Sequence, residues 1–73
     1  MNTLVEAIKK HQQKNNITDG ELSRQLSMDR STWSFIKSGK RNPGNKFLKA
    51  LVRVYPELQL TVFEYMARSD END

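Results

Sequence analysis

The stretch that decides the fold is TDGELSRQLSMDRSTWSFIK, residues 18–37. It reads as two short helices joined by a tight break. Thr18 and Glu21 have the spacing of a capping box, in which the Thr18 hydroxyl accepts from the Glu21 amide and the Glu21 carboxylate reaches back to the Thr18 amide. Ile17 stands in the staple position just ahead of it. The first helix then runs to about Leu26, with Leu22 and Leu26 one turn apart on one face. Ser27 and Met28 break it. Asp29 suits the N-cap of the next helix, its carboxylate at the positive end of the dipole. That second helix covers about residues 30–37, and Trp33 and Ile36, three apart, share its inner face. Met28 plugs the turn. Leu22, Leu26, Met28, Trp33 and Ile36 thus form the expected core of a helix-turn-helix.

The flanking segments read as further helices. Leu4, Val5, Ile8 and Gln12 recur at helical spacing, so a helix is expected from about Asn2 or Thr3 to Lys14. Asn15 and Asn16 end it, because Asn tolerates the left-handed region. Beyond residue 37, Gly39 fits the position just after a helix end, and Pro43 forbids continuation. A fourth helix spans about residues 45–55, with Leu48, Leu51, Val52 and Tyr55 inward and Phe47 and Val54 as a second apolar edge. Pro56 stops it or begins a short turn through Leu58. Thr61 and Glu64 are read as a second capping box that opens a fifth helix to about Arg68. The expected fold is all-α, a compact five-helix bundle forming one domain over residues 1–68, with a disordered acidic tail at 69–73.

Composition narrows the class. A chain of 73 residues is near the lower limit for a core without staples, and it has no cysteine and one histidine. Disulfides and cysteine or paired-histidine metal sites are therefore excluded, and no cofactor is expected. Hydrophobic residues make up 36% and charged residues 29%, which suits a globular chain. The longest apolar runs are far too short to span a bilayer, and Met1 leads directly into polar residues without a signal-like segment. A cytoplasmic protein with no membrane partner is the expectation.

Charge is unevenly placed. The net charge is +3, but three of the nine acids (Asp70, Glu71 and Asp73) lie in the terminal five residues. Between Lys37 and Arg53 there are six bases and no acid. A one-sided basic stretch suits a polyanion, although a solvated surface would read the same way. With Trp33 and Ile36 turned inward, Arg30, Ser31, Ser34 and Phe35 occupy the other side of the same helix. Arg30 can fork onto guanine, the serines can donate to base edges, and Phe35 can press on a thymine methyl. Thr32, Lys37, Lys40, Arg41 and Asn42 are placed to hold phosphates. Phe35 can equally pack against the fourth helix. Lys9, Lys10 and Lys14 read as a solvated face, Lys46, Lys49 and Arg53 as rim charges, and His11 as a surface residue. For Phe47, Val54, Phe63 and Tyr65, core packing and self-association both stay open.

Residues 18–43 resemble the helix-turn-helix of the phage-repressor/Cro (XRE-type) family. Thr18, Glu21, Leu22, Leu26, Thr32, Ser34, Ile36, Gly39, Lys40, Arg41 and Pro43 match its usual pattern without a gap. The resemblance implies a lambda-repressor-like DNA-binding domain, with the helix at about 30–37 in the major groove. It also implies repressor-like transcription regulation in a bacterium or a mobile element such as a phage. The partner would be double-stranded DNA, a palindromic operator bound by two copies, with a homodimer formed in solution or only on DNA. Departures stand beside the matches. Asp19 replaces a Gln that in the family contacts the DNA backbone, so that role is not carried over. Ser27 replaces the turn glycine and must take up its conformation or reshape the turn. Lys37 replaces a Glu, adding positive charge.

An enzyme is not expected. The sequence has no glycine-rich phosphate loop, no nucleophile and base pair, and no paired carboxylates. A second non-enzymatic reading is a protein-interaction adaptor or antitoxin-like module on the same fold, kept open by Asp19 and Phe35.

Overall fold

Helix α1 comprises Thr3–Asn15, α2 Asp19–Gln25, α3 Arg30–Lys37, α4 Asn45–Val54 and α5 Gln59–Glu71, with a single 3-10 turn at Pro56–Leu58. These elements come from a computed structural model that describes the backbone of residues 3–71 and the side chains of residues 3–68. Among the described residues there is no strand. The Cα radius of gyration is 11.5 Å, close to the roughly 11 Å of a compact chain of this length. Helix α1 packs on α5, α2 on α3, and α4 on α5 and the 3-10 turn. The apolar stripes meet in one core, where Leu4, Ile8, Leu22, Trp33, Leu51 and Val62 are almost wholly enclosed. Trp33 lies nearly parallel to Phe47, with centroids 6.1 Å apart and planes 9° from coplanar, an offset stack that joins α3 to α4. The Tyr55 hydroxyl donates to Gln25 Oε1, tying the end of α4 to the end of α2. Burial of this phenol raises its pKa.

Three successive helices end in the same way. At each end the chain turns through a left-handed residue: Asn16 at φ 56°, Ser27 at φ 57° and Gly39 at φ 85°. The amide after each of them reaches back five residues: Ile17 to Gln12, Met28 to Ser23 and Lys40 to Phe35, all at 2.9 Å. This is the Schellman arrangement, which satisfies carbonyls that a helix end leaves free. Ser27 therefore keeps the turn geometry and accepts the strained conformation itself. The capping box at Thr18 and Glu21 forms in both directions. Asp29 is the N-cap of α3, but its side chain makes no capping bond. Its carbonyl accepts from the Thr32 amide instead.

Two expectations are corrected at the C-terminal end. Thr61 does not cap α5. Pro56 starts the 3-10 turn with a preset φ, Gln59 is already helical at φ −57° and ψ −46°, and the chain propagates without a break, leaving Thr61 inside the helix. The backbone of residues 69–71 also continues α5, while Asn72 and Asp73, the rest of the expected tail, lie outside the described residues.

Left-handed Ser27 costs about 1 kcal/mol relative to glycine. Ser27→Gly should raise the unfolding free energy by roughly that amount, read as a higher urea midpoint with an unchanged m-value. Gly39→Ala should lower the unfolding free energy by about 1 kcal/mol, for conformational reasons alone, because no atom lies within 4 Å of the added methyl.

Candidate nucleic-acid interface

The orientation of α3 is set by an acid outside it. Asp19 is the first residue of α2, directly after the Thr18 cap, and its carboxylate turns toward the bundle. Oδ1 accepts from Trp33 Nε1 at 3.0 Å and from Gln12 Nε2 at 3.0 Å. Oδ2 accepts from Lys37 Nζ at 2.5 Å. Trp33 is 1% exposed, so its indole N–H needs a partner inside the protein, and Asp19 provides it. Gln12, buried on α1, also donates to the Ile17 carbonyl at 3.3 Å, so one carboxylate links three helices and the α1–α2 turn. The pKa of Asp19 falls from 3.8 to about 2, through the hydrogen bond from Lys37 first and that from Gln12 second; burial opposes the shift and Trp33 adds to it.

With Trp33 and Ile36 held inward, the opposite side of α3 is fixed by helical geometry. At about 100° per residue, Arg30, Ser34, Ser38, Ser31 and Phe35 fall within an arc of roughly 140°. All five are exposed, and the flanking Thr32 and Lys37 are half-buried. Among the described residues, the side chains of Arg30, Ser31 and Ser34 have no hydrogen-bond or ionic partner. Phe35, which the sequence leaves between groove and core, is 39% exposed. It stands on this outer arc, with the Arg41 guanidinium 5.5 Å from its ring centroid.

The end of α3 determines where the loop goes. The Phe35 carbonyl accepts from Lys40 N at 2.9 Å, Arg41 N at 3.2 Å and Ser38 Oγ at 3.2 Å. Three donors on one carbonyl fold residues 38–41 back over the last turn. Lys40, Arg41 and Asn42 are exposed beside the outer arc, and Pro43 is buried.

The basic run divides into groups with different surroundings. Lys37 is the correction: its ammonium is bound to Asp19, so it is no free phosphate ligand, and the pair leaves no net charge. Thr32 is also only half-buried, and it lines a recess with Asp29, Arg41, Asn42 and Lys46 at the start of α4. Lys46 therefore belongs with the loop cations. Lys9, read as part of a solvated face, borders a second recess with Lys37, Ser38, Arg41 and Asn42. Sequence spacing carries no signal for either placement, since both depend on how α1 and α4 pack around α3. Lys49 and Arg53 lie elsewhere, on an apolar groove between α4 and α5 lined by Leu48, Val52, Val62, Phe63 and Met66. Phe47 is core, whereas Leu60, Phe63 and Met66 are 75%, 51% and 41% exposed. His11 is not a surface residue: its side chain is 11% exposed, and its ring meets Tyr55 edge-on at 4.7 Å.

Among the described residues, no cluster of His, Cys, Asp or Glu could hold a metal ion, and no helix is long and apolar enough to cross a membrane. Comparisons with protein-family models, curated proteins and solved structures find no match to this chain.

Asp19 carries a pH signature. Its folded pKa is depressed, so its contribution is fully present above the unfolded value and is lost as pH falls from about 5 toward 2. Solvent reaches 36% of the side chain, so screening reduces the contribution to on the order of 1 kcal/mol. Urea unfolding at a series of pH values should show this loss in the wild type. Asp19→Asn, which keeps an oxygen for the Trp33 indole and has no charge for Lys37, should be less stable at neutral pH and lack that acid-dependent loss.

Proposed function

We propose that α2, the four-residue turn and α3 act as a helix-turn-helix of the phage-repressor/Cro type, and that the protein is a small transcriptional regulator that binds specific double-stranded DNA. The observation that carries this reading is the outer arc of α3, where Arg30, Ser31 and Ser34 have no partner within the described structure and lead into Lys40, Arg41 and Asn42. Eight residues make a helix about 12 Å long, and its width matches a major groove of about 12 Å. Arg30 forks onto guanine O6 and N7, a contact worth about 1–3 kcal/mol of discrimination. Ser31 and Ser34 donate to base edges, and Phe35 meets a thymine methyl. Lys40, Arg41 and Asn42 hold phosphates, with Lys46 and Lys9 at the margin. Thr32 supplies a further hydroxyl from the recess.

One short recognition helix gives limited affinity, so two copies would occupy half-sites about one helical turn apart on a palindromic operator. Repression of a promoter, in the cytoplasm of a bacterium or from a phage genome, is the regulatory role that the family resemblance supplies.

The adaptor reading rests on a different observation, the apolar groove between α4 and α5 with Phe63 and Met66 exposed beside it. Asp19 no longer favours it, because the carboxylate faces the bundle. Selection from random duplexes separates the two readings. A DNA-binding protein enriches one motif, whereas an adaptor enriches none and co-purifies with a protein.

On a selected duplex, four cations on phosphates predict a slope of log K against log salt of about −3.6 per protomer. Lys40→Ala should flatten it by about 0.9 and weaken all sequences alike. Arg30→Ala should leave the slope nearly unchanged and relax preference at one base pair, a loss of about 1–3 kcal/mol in discrimination.

A further inference from the structure

Arg41 differs from the other loop cations in being held at two levels. Its backbone amide is anchored on the Phe35 carbonyl at 3.2 Å, and its guanidinium lies over the Phe35 ring, 5.5 Å from the centroid. Gly39 at φ 85° makes the reversal that brings residue 41 back beside residue 35. A guanidinium held over an aromatic ring is attracted to its face and loses less rotamer freedom when its donors bind a ligand. Phe35 remains 39% exposed, so the guanidinium covers it only in part.

We propose that Phe35 and Arg41 work as one cation–π unit, which reads the 5-methyl group of a pyrimidine with the ring and binds the neighbouring phosphate with the guanidinium. Arg41 then serves as a positioned specificity contact rather than a general electrostatic clamp, and Phe35 is its positioning residue as well as an apolar reader. The inference rests on the DNA-binding reading above and names the base chemistry that the surface recognises: a thymine or 5-methylcytosine.

The test uses the intact chain and a duplex obtained by selection. Each thymine is replaced in turn by uracil, which removes one methyl group and preserves pairing. Wild-type affinity should fall about 5-fold at one position of each half-site, and restoring a methyl there as 5-methylcytosine opposite guanine should recover part of the loss relative to unmethylated cytosine. Phe35→Ala should be indifferent to the same methyl. Phe35→Leu keeps an apolar tip without an aromatic face and should stay sensitive to the methyl while uncoupling Arg41. Arg41→Ala should therefore cost about 10-fold in the wild type and no more than about 3-fold in the Phe35→Leu background. Intrinsic fluorescence of Trp33 checks that each variant is folded. Equal cost of Arg41→Ala in both backgrounds, or equal methyl sensitivity in wild type and Phe35→Ala, overturns the proposal and leaves DNA binding intact. Failure of the wild type to select any duplex removes the DNA-binding reading and the proposal with it.

Discussion

The carboxylate of Asp19 is the constraint on which the rest depends. A tryptophan is the largest side chain that a small core can enclose, and it brings a polar N–H with it. Burying that N–H without an acceptor would cost about 1–3 kcal/mol, a large fraction of what a domain this small can hold in reserve. Asp19 supplies the acceptor at 3.0 Å and in turn needs its own charge balanced. Lys37, one turn after Trp33 on the same helix, provides the balance at 2.5 Å, and Gln12 adds a donor from α1. The α3 helix is thus gripped at two points four residues apart, which fixes its rotation about its own axis.

Rotation is what matters for the surface. An eight-residue helix with two inward anchors has one free arc, and every side chain on it is determined once Trp33 and Ile36 are placed. Arg30 and Ser34 face outward for the same reason that Trp33 faces inward. The tie to Lys37 also consumes a positive charge that a linear reading would assign to the interface. Packing brings Lys9 of α1 and Lys46 of α4 to recesses beside the loop, which Glu6 and Asp29 also border. An acid at the start of α2 therefore need not repel a phosphate backbone, because its charge is directed inward and paired.

Much of the framework was legible in local sequence rules. The capping box at Thr18, the breaks at Asn16 and Gly39, the extent of α3 and the burial of Leu48 and Leu51 on α4 and Tyr55 at its C-cap all depend on residues within a few positions of one another, and the structure agrees with them, although on α4 Phe47 is core and Val52 only half-buried. Ser27 was legible too, as a residue obliged to adopt a glycine's conformation. What escaped was tertiary. Gln12 at an apolar position and Asp19 in place of a Gln were each visible, but nothing in their spacing says that they meet. The same holds for the burial of His11 against Tyr55. The misplaced start of α5 has a local cause: two signals competed, and a proline-led 3-10 turn continuing into helix prevailed over the Thr61 cap. Phe35 stays open between groove and core in the sequence because its position on the wheel lies near the boundary; in the fold it is 39% exposed, with the Arg41 guanidinium beside it.

We propose that this chain presents the outer arc of α3 to DNA while the Asp19 lock stays closed behind it. Two-dimensional amide and indole NMR, recorded as a selected duplex is added, tests both halves at once. The account predicts that resonances of residues 30–42 shift together, while the Trp33 indole proton stays protected from exchange and nearly fixed in frequency. Shifts centred instead on Leu48, Val52, Phe63 and Met66, or an indole proton that exchanges freely with solvent, would contradict it.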